Sequence, residues 1–351
     1  MALSRLNLTD FRNHATLTLE PHAQFIALHG PNGAGKTNIL EAISLLVPGR
    51  GLRRAALSEI VRSDGGGGFA VSADVGDVHI GTGVEREAPE RRKVRINGAN
   101  ATINNLAEWL AVIWLTPAMD RLFVDGAGAR RRFLDRLVLA LEPAHARYSS
   151  RYEKAVQQRN RLLSGGAASD PLWLDALEKQ MAESGAAIIA ARDRMMAALR
   201  LQLDVAPAEL FAVPTLELVN NEALTAADLV DAWRKGRRRD AGAGRTLVGP
   251  HRADLRVHNR ASGQAADRSS TGEQKALLLS LILAHSALVT AQRGTPPILL
   301  LDEVAAHLDP ARRAALFERL TETGAQVWMT GTEISLFDGI GPTAQLVAVG
   351  S

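Results

Sequence analysis

The chain contains no cysteine, which excludes disulfides and thiolate metal sites and agrees with a reducing compartment. It has no apolar run of about 18 residues, so no membrane span is expected. The opening M-A-L-S-R-L-N-L-T-D lacks the continuous apolar stretch of a signal peptide, and the expected location is the cytoplasm. A large excess of one charge is also missing: the formal net charge is +3, too small to identify a nucleic-acid partner by itself. The distribution is more telling, with 35 Arg against 6 Lys and clusters at Arg91-Arg92-Lys93, Arg130-Arg131-Arg132 and Arg234 to Arg239. Arginine suits bidentate phosphate contacts, while solvated surface is the competing reading for each cluster. At 351 residues the length suggests two structural units.

What is present is a phosphate-binding loop. Gly30-Pro31-Asn32-Gly33-Ala34-Gly35-Lys36-Thr37 satisfies G-x-x-x-x-G-K-[ST] at every fixed position. Ala23 to Leu28 reads as a buried strand before it, and Ile39, Leu40, Ile43 and Leu46 mark a helix after it. Glycines let successive backbone N–H groups turn toward a phosphate, and the helix N-terminus adds partial positive charge. Lys36 is then expected to reach the β- and γ-phosphates of ATP, and Thr37 to ligate Mg²⁺.

Along the chain, Leu3–Leu8 and Ala15–Leu19 alternate as an antiparallel hairpin leading into the phosphate-loop strand. Arg12, in its turn, either reaches the nucleotide or is a surface residue. Residues 69–75, 78–81 and 93–98 read as short strands of a β-subdomain, and Ala111–Leu115 as a buried core strand. From Asp120 the texture is helical. A helix through Tyr148 to Leu163 is followed by Asp170-Pro171, a cap and first-turn proline, and then by a seam of Leu174, Leu177, Met181, Ile188, Ala191 and Met195. These predict a short antiparallel arm on the order of 30 to 45 Å long. Arg234–Arg245 reads as a return linker, and Thr246–Arg252 as re-entry into a sheet.

Three further motifs complete an ATP site. Pro297–Glu303 is an apolar strand ending in two acids, with Asp302 expected to hold Mg²⁺ and Glu303 to polarise the attacking water. Ser270-Thr271-Gly272-Glu273-Gln274 precedes a helix and is a variant of the S-G-G-x-Q signature of ABC-class ATPases. A hydroxyl and glycine N–H groups at a helix N-terminus suit a second anion site, although a helix cap alone explains the same residues. Ala305 to Asp309 has the place of the D-loop, with Asp309 expected at a dimer interface. After Gln326–Met329, where transporter ATPases carry a γ-phosphate-sensing histidine, this chain has Thr330 or Thr332. A hydroxyl is a poor base, which favours slow hydrolysis and a switching role.

Taken together the chain resembles the RecF family of bacterial recombination mediators, related to SMC heads. The carrying residues are L-x-L-x-D-F-R-N at Leu6–Asn13, the phosphate loop, Arg130-Arg131-Arg132-Phe133-Leu134-Asp135, Gln158–Leu163, Gly249-Pro250-His251-Arg252, S-T-G-E-Q and L-D-E. Two positions depart from the family pattern. Ala253 stands where an acid often follows G-P-H-R, and Glu273-Gln274-Lys275 replaces the commoner Q-Q-R.

The fold implied is α/β: a P-loop NTPase of the ABC/SMC-head type with a β-subdomain and an inserted α-helical lobe carrying a short antiparallel helical arm. Residues 1–119 and 246–351 are expected to form the ATPase lobe and 120–245 the inserted lobe. The resemblance implies a slow ATPase that dimerises with ATP and binds duplex DNA and single-strand/duplex junctions. It further implies work with RecR and RecO to load recombinase at gaps. Expected nucleotide contacts are Gly30 to Asn38, Arg12, Ser270, Gly272, Glu273 and Asp309. Lys36, Asp302 and Glu303 are expected to carry the chemistry, with Thr37 and Asp302 on the metal. Arg130, Arg131 and Arg132, then Arg237, Arg238 and Arg239, are the candidate DNA contacts. The alternatives are an SMC-like structural or nuclease-associated ATPase head and a transporter subunit. Transporters place the signature much closer to the phosphate loop than the roughly 230 residues found here.

Overall fold

The computed structural model describes residues 1–165, 170–205, 212–341 and 344–350. The chain divides into two compact units, Met1–Asp120 with Leu278–Ser351, and Arg121–Ala206 with Ala212–Leu277.

In the first unit β1 (Leu3–Phe11) and β2 (His14–Leu19) form the expected hairpin, pairing Leu6 with Leu19 and Phe11 with His14. β3 (Phe25–His29) and α1 (Lys36–Ser44) flank the phosphate loop, followed by the single turn α2 (Leu57–Ile60). β1 then pairs with β4 (Phe69–Val75), and the antiparallel sheet continues through β5 (Val78–Glu85), β6 (Ala88–Ile96) and β7 (Ala99–Ala101) in the order β2-β1-β4-β5-β6-β7. The hairpin is therefore part of the β-subdomain.

A second sheet is wholly parallel. After the short α3 (Leu106–Trp109) comes β8 (Val112–Leu115), and late in the chain β11 (Ile298–Leu301), β12 (Val327–Gly331) and β13 (Ala344–Ala348), with α9 (Pro310–Glu322) before β12. The order is β13-β3-β12-β11-β8. Strands covered on both faces need apolar side chains throughout, which is why V-I-W-L and I-L-L-L read as unbroken runs. Ile39, Leu40 and Ile43 of α1 share one core with Leu6 and Leu8 of the antiparallel sheet and Leu300 and Trp328 of the parallel one. Each such burial contributes about 1.5–3 kcal/mol. Gln326 adds a polar tie, accepting from Leu3 N–H and donating to Leu3 O, both at 2.9 Å.

The second unit contains α4 (Ala127–Leu141), α5 (Ala144–Ser164), α6 (Pro171–Asp204), β9 (Pro214–Val219), α7 (Ala226–Ala243), β10 (Asp254–Asn259) and the start of α8 (Thr271–Arg293). The Asp170 carboxylate caps α6 by accepting Leu172 N–H at 2.9 Å, and all six expected seam residues are buried. Contacts of Arg151 with Glu183 and Arg159 with Glu178 show α5 and α6 running antiparallel. Arg159 is fully buried and ties three helices, bonding Glu178 at 2.9 Å, Asp240 at 2.8 Å and the Trp233 carbonyl at 3.1 Å. By length and composition α8 passes as a membrane-crossing helix, but 72% of its apolar window is buried, as in a core helix.

Two expectations are corrected. Residues 234–243 are not a linker but part of α7, with Thr225 and Asp228 forming a capping box and Leu229, Trp233, Gly236 and Asp240 on the buried face. The sheet is re-entered at β10, Asp254–Asn259, and not at 246–252, where Pro250–Arg252 forms a 3₁₀ turn. Residues 246–277 group with the helical unit, because β10 pairs antiparallel with β9 from Asp254–Val219 to Asn259–Pro214.

Candidate functional site

Parallel register brings three loops to one edge of the first unit. Met329 of β12 pairs with Ala27 of β3 on one side and Leu301 of β11 on the other. The segments after β3, β11 and β12 therefore emerge together, the usual place for a ligand site in a parallel sheet.

The phosphate loop is shaped by glycine where nothing else fits. Gly30 has φ +147°, and a Cβ there would lie 2.3 Å from the Val349 carbonyl oxygen. Gly35, at φ +106°, caps α1, and a Cβ there would lie 2.6 Å from Asn13 and His14. Lys36 is almost wholly buried, its Nζ donating to the Gly30 carbonyl at 2.6 Å and the Pro31 carbonyl at 2.9 Å. Asn32 and Gly33 lie on the exposed side of the loop.

The hairpin turn supports this loop. Asn13 Nδ2 donates to the Ala34 carbonyl at 3.0 Å, and Asn13 Oδ1 accepts from Asn38 Nδ2 at 2.7 Å. Arg12 makes a two-pronged contact with the fully buried Glu41 at 2.9 and 2.8 Å, and donates to the Glu59 carbonyl at 2.7 Å. Arg53 shares Glu41 at 3.1 Å. Arg12, expected as a nucleotide contact, is thus committed to α1 and α2.

Opposite the loop, Asp302 Oδ1 accepts two hydroxyls, Thr37 at 2.9 Å and Thr330 at 2.8 Å. Thr330 Oγ1 in turn accepts the Glu303 N–H at 2.8 Å, and Glu303 has φ +55°, a left-handed conformation uncommon for a side chain of that size. Burial raises the Asp302 pKa from its ordinary value, opposed by the Thr330 and Thr37 hydrogen bonds. Of the two threonines, Thr330 is the one buried at the site, while Thr332 is exposed.

The oxygens of Thr37 and Asp302 are hard donors suited to Mg²⁺. Among the described residues no group of three His, Cys, Asp or Glu side chains could hold a metal alone, so phosphate oxygens and water would complete the shell.

The remaining expected residues make local contacts at helix starts. Asp309 is exposed and caps α9, accepting Arg312 N–H at 2.9 Å. In the second unit the signature opens α8. Glu273 Oε2 accepts Ser270 N–H at 2.8 Å and Ser270 Oγ–H at 2.9 Å, which lowers the Glu273 pKa. The cap reading is therefore realised, with Gly272 exposed beside it.

The arginine clusters need correcting. Arg130 pairs with Asp254 at 2.7 and 2.8 Å and donates to the Phe123 and Asp125 carbonyls. Arg131 donates to the Ala253 carbonyl at 2.8 Å, and Arg237 is engaged by Asp175 and Glu178. These three anchor the fold. Arg132, Arg238 and Arg239 are exposed and without hydrogen bonds or ion pairs among the described residues. Arg92 turns inward too, onto the carbonyls of Leu45, Val47 and Gly49 just beyond α1, and burial lowers its pKa to about 10.

Residues 2–338 match the family described as RecF/RecN/SMC N terminal domain. The chain is similar to the DNA replication and repair protein RecF of Rhizobium johnstonii, at 50% identity over 99% of this chain and 97% of the relative. RecF of Agrobacterium fabrum is 49% identical, with the same shares covered. Among solved structures, the recombination mediator protein RecF-ATP of the RecFOR pathway superposes with TM-score 0.81 at 26% identity, over 95% of this chain and 92% of that one. An SMC head domain from Pyrococcus furiosus, with a TM-score of 0.56 at 16% identity over 99% and 92% of the two chains, shares the fold.

Proposed function

The chain belongs to the RecF family, and from that premise we propose that it is an ATP-driven switch acting on DNA in replication and repair. The loop Gly30 to Thr37, through the backbone N–H groups of Asn32 to Thr37 and the Lys36 ammonium, binds the triphosphate of ATP, with Asn38 closing the turn. When bound, Mg²⁺ supplies charge neutralisation at the phosphates, and Thr37 and Asp302 hold it. Glu303 orients the attacking water, and Thr330 fixes the backbone from which Glu303 projects. With a threonine where a histidine would serve transport ATPases, hydrolysis is slow and the bound state long-lived.

The observation that carries this reading is the chain of hydrogen bonds from Thr37 through Asp302 and Thr330 to Glu303. It joins the phosphate loop to the backbone of the hydrolytic acid through side chains that can also meet a metal ion and a phosphate.

Ser270, Gly272 and Asp309 serve the nucleotide of a second copy, so that ATP joins two chains and its hydrolysis parts them. The closed dimer grips duplex DNA and single-strand/duplex junctions and, with RecR and RecO, helps recombinase load at gaps. The test is a binding titration on gapped, duplex and single-stranded DNA with and without ATP. Tighter binding to duplex-containing DNA with ATP supports the switch; equal binding in both states refutes it.

A further inference from the structure

Gly249-Pro250-His251-Arg252 has no place in the nucleotide chemistry, yet its backbone is fastened from several helices of its unit. Arg192 Nη1 of α6 donates to the Pro250 carbonyl at 2.6 Å, and Trp233 Nε1 of α7 to the Val248 carbonyl at 2.8 Å. Tyr152 Oη of α5 lies 2.7 Å from His251 Nδ1, while His251 Nε2 lies 2.8 Å from the Thr246 carbonyl. The two contacts define one arrangement: Nε2–H donates to Thr246, and Nδ1 accepts the tyrosine proton. Gly249 has φ +127°, and a Cβ there would lie 2.4 Å from the Tyr152 oxygen, so the close approach demands glycine. On the far side Arg131 of α4 holds the Ala253 carbonyl and Arg130 holds Asp254.

One polar side chain of the tetrapeptide is left over. Arg252 is exposed, with no hydrogen bond or ion pair among the described residues. Its neighbours do not neutralise it. Asp254 is paired with Arg130, and Asp135 is shared by Arg192 and His145. Arg130 and Arg131, which grip residues 253 and 254, tie this loop to the N-terminal half of α4, where Arg132 is exposed. Burial and then Arg192 lower the Arg131 pKa, Asp135 and Asp254 oppose them, and Arg252 adds a smaller lowering.

We propose, resting on the DNA-binding reading above, that Arg252 is a contact for a backbone phosphate of DNA. The fastened loop is the pedestal that presents its guanidinium, with Arg132 extending the track. A guanidinium on a fixed backbone loses less freedom on binding than one on a mobile loop. Two exposed arginines without an acidic partner among the described residues, Arg252 and Arg132, suit a polyanion, whose phosphates recur along its length, better than a single anion. It also explains why this turn is held by so many hydrogen bonds.

The experiment is a titration of fluorescent duplex DNA over a range of salt with the full chain, its Arg252→Ala, Arg252→Lys and Arg252→Glu variants, and Lys179→Glu as a charge control elsewhere on the same unit. Arg252→Ala should weaken binding about tenfold and lower the slope of log affinity against log salt by about one. Arg252→Lys should keep most of that slope, and Lys179→Glu should bind within about twofold of the parent. Thermal midpoints of the Arg252 variants should match the parent, since the side chain makes no described bond. Parent-like affinity and slope in Arg252→Ala overturn the proposal, as does an equal loss in Lys179→Glu. A fall in ATP affinity or ATP-dependent dimerisation with DNA binding intact assigns the guanidinium to a nucleotide phosphate and overturns it as well. If the parent binds no DNA at all, the DNA-binding function itself is refuted, a result distinct from failure at Arg252 alone.

Discussion

Thr330 donates a 2.8 Å hydrogen bond to Asp302, and the same hydroxyl accepts the backbone N–H of Glu303 at 2.8 Å. One side chain on β12 thereby couples the expected metal-binding acid to the residue after it, which sits at φ +55°. Removing the hydroxyl frees a strained backbone position and leaves a buried carboxylate with one donor fewer.

Thr330→Val, which keeps the shape, should lower the ATPase kcat about tenfold or more, while ATP affinity stays within about threefold. Thr330→Ser should restore the rate. Steady-state turnover with a separate nucleotide-binding titration checks this, and an unchanged kcat in the valine variant removes Thr330 from the positioning role.

Asp302 gives a stability prediction of definite sign. Burial raises its pKa above the unfolded value. A group raised on folding stabilises the protein when protonated, and that contribution is lost as pH rises through the folded pKa. At pH 7.5 without Mg²⁺ the ionised Asp302 therefore costs stability. Asp302→Asn keeps an oxygen for both hydroxyls and should raise the metal-free melting temperature by about 2 °C or more. The gap should close as pH falls toward the carboxylate range. Differential scanning at several pH values reads this, and a lower midpoint in the variant at pH 7.5 contradicts it.

Arg159 is fully buried between Glu178 and Asp240. Arg159→Ala leaves two acids without their shared cation, although Arg237 still meets Glu178. The expected cost is about 3–5 kcal/mol, measured by urea unfolding. A loss below about 1 kcal/mol would show that the network contributes little.

The basic cluster on α4 should split by role. Arg130→Ala should destabilise the fold, because it removes the two-pronged Asp254 contact and bonds to two carbonyls. Arg132→Glu should leave the melting temperature unchanged and weaken DNA binding. Equal behaviour of the two variants in both assays would contradict the assignment.

These residues also mark what the sequence could disclose. The parallel strands were legible because burial on both faces forces unbroken apolar runs, and the phosphate loop because its chemistry fixes glycine, lysine and threonine at set spacing. Helix α7 was not read, since R-K-G-R-R-R resembles a polar linker, although the Thr225–Asp228 cap and the Leu229, Trp233, Asp240 spacing were visible. Charge alone could not separate Arg159 or Arg130 from surface arginines. Their partners lie 19 to 124 residues away in the chain and meet them only when the helices pack. Thr330 could be told from Thr332 only through strand register, which sets Thr330 opposite Leu28 at the edge where Asp302 emerges.

The central claim is that ATP joins two copies of this chain. It is tested most directly by light scattering of the Glu303→Gln variant with ATP and Mg²⁺, where binding proceeds and hydrolysis is blocked. The account predicts a dimer that reverts to monomer without nucleotide and fails to form when Ser270→Arg is added. A Glu303→Gln protein that binds ATP yet stays monomeric would contradict it.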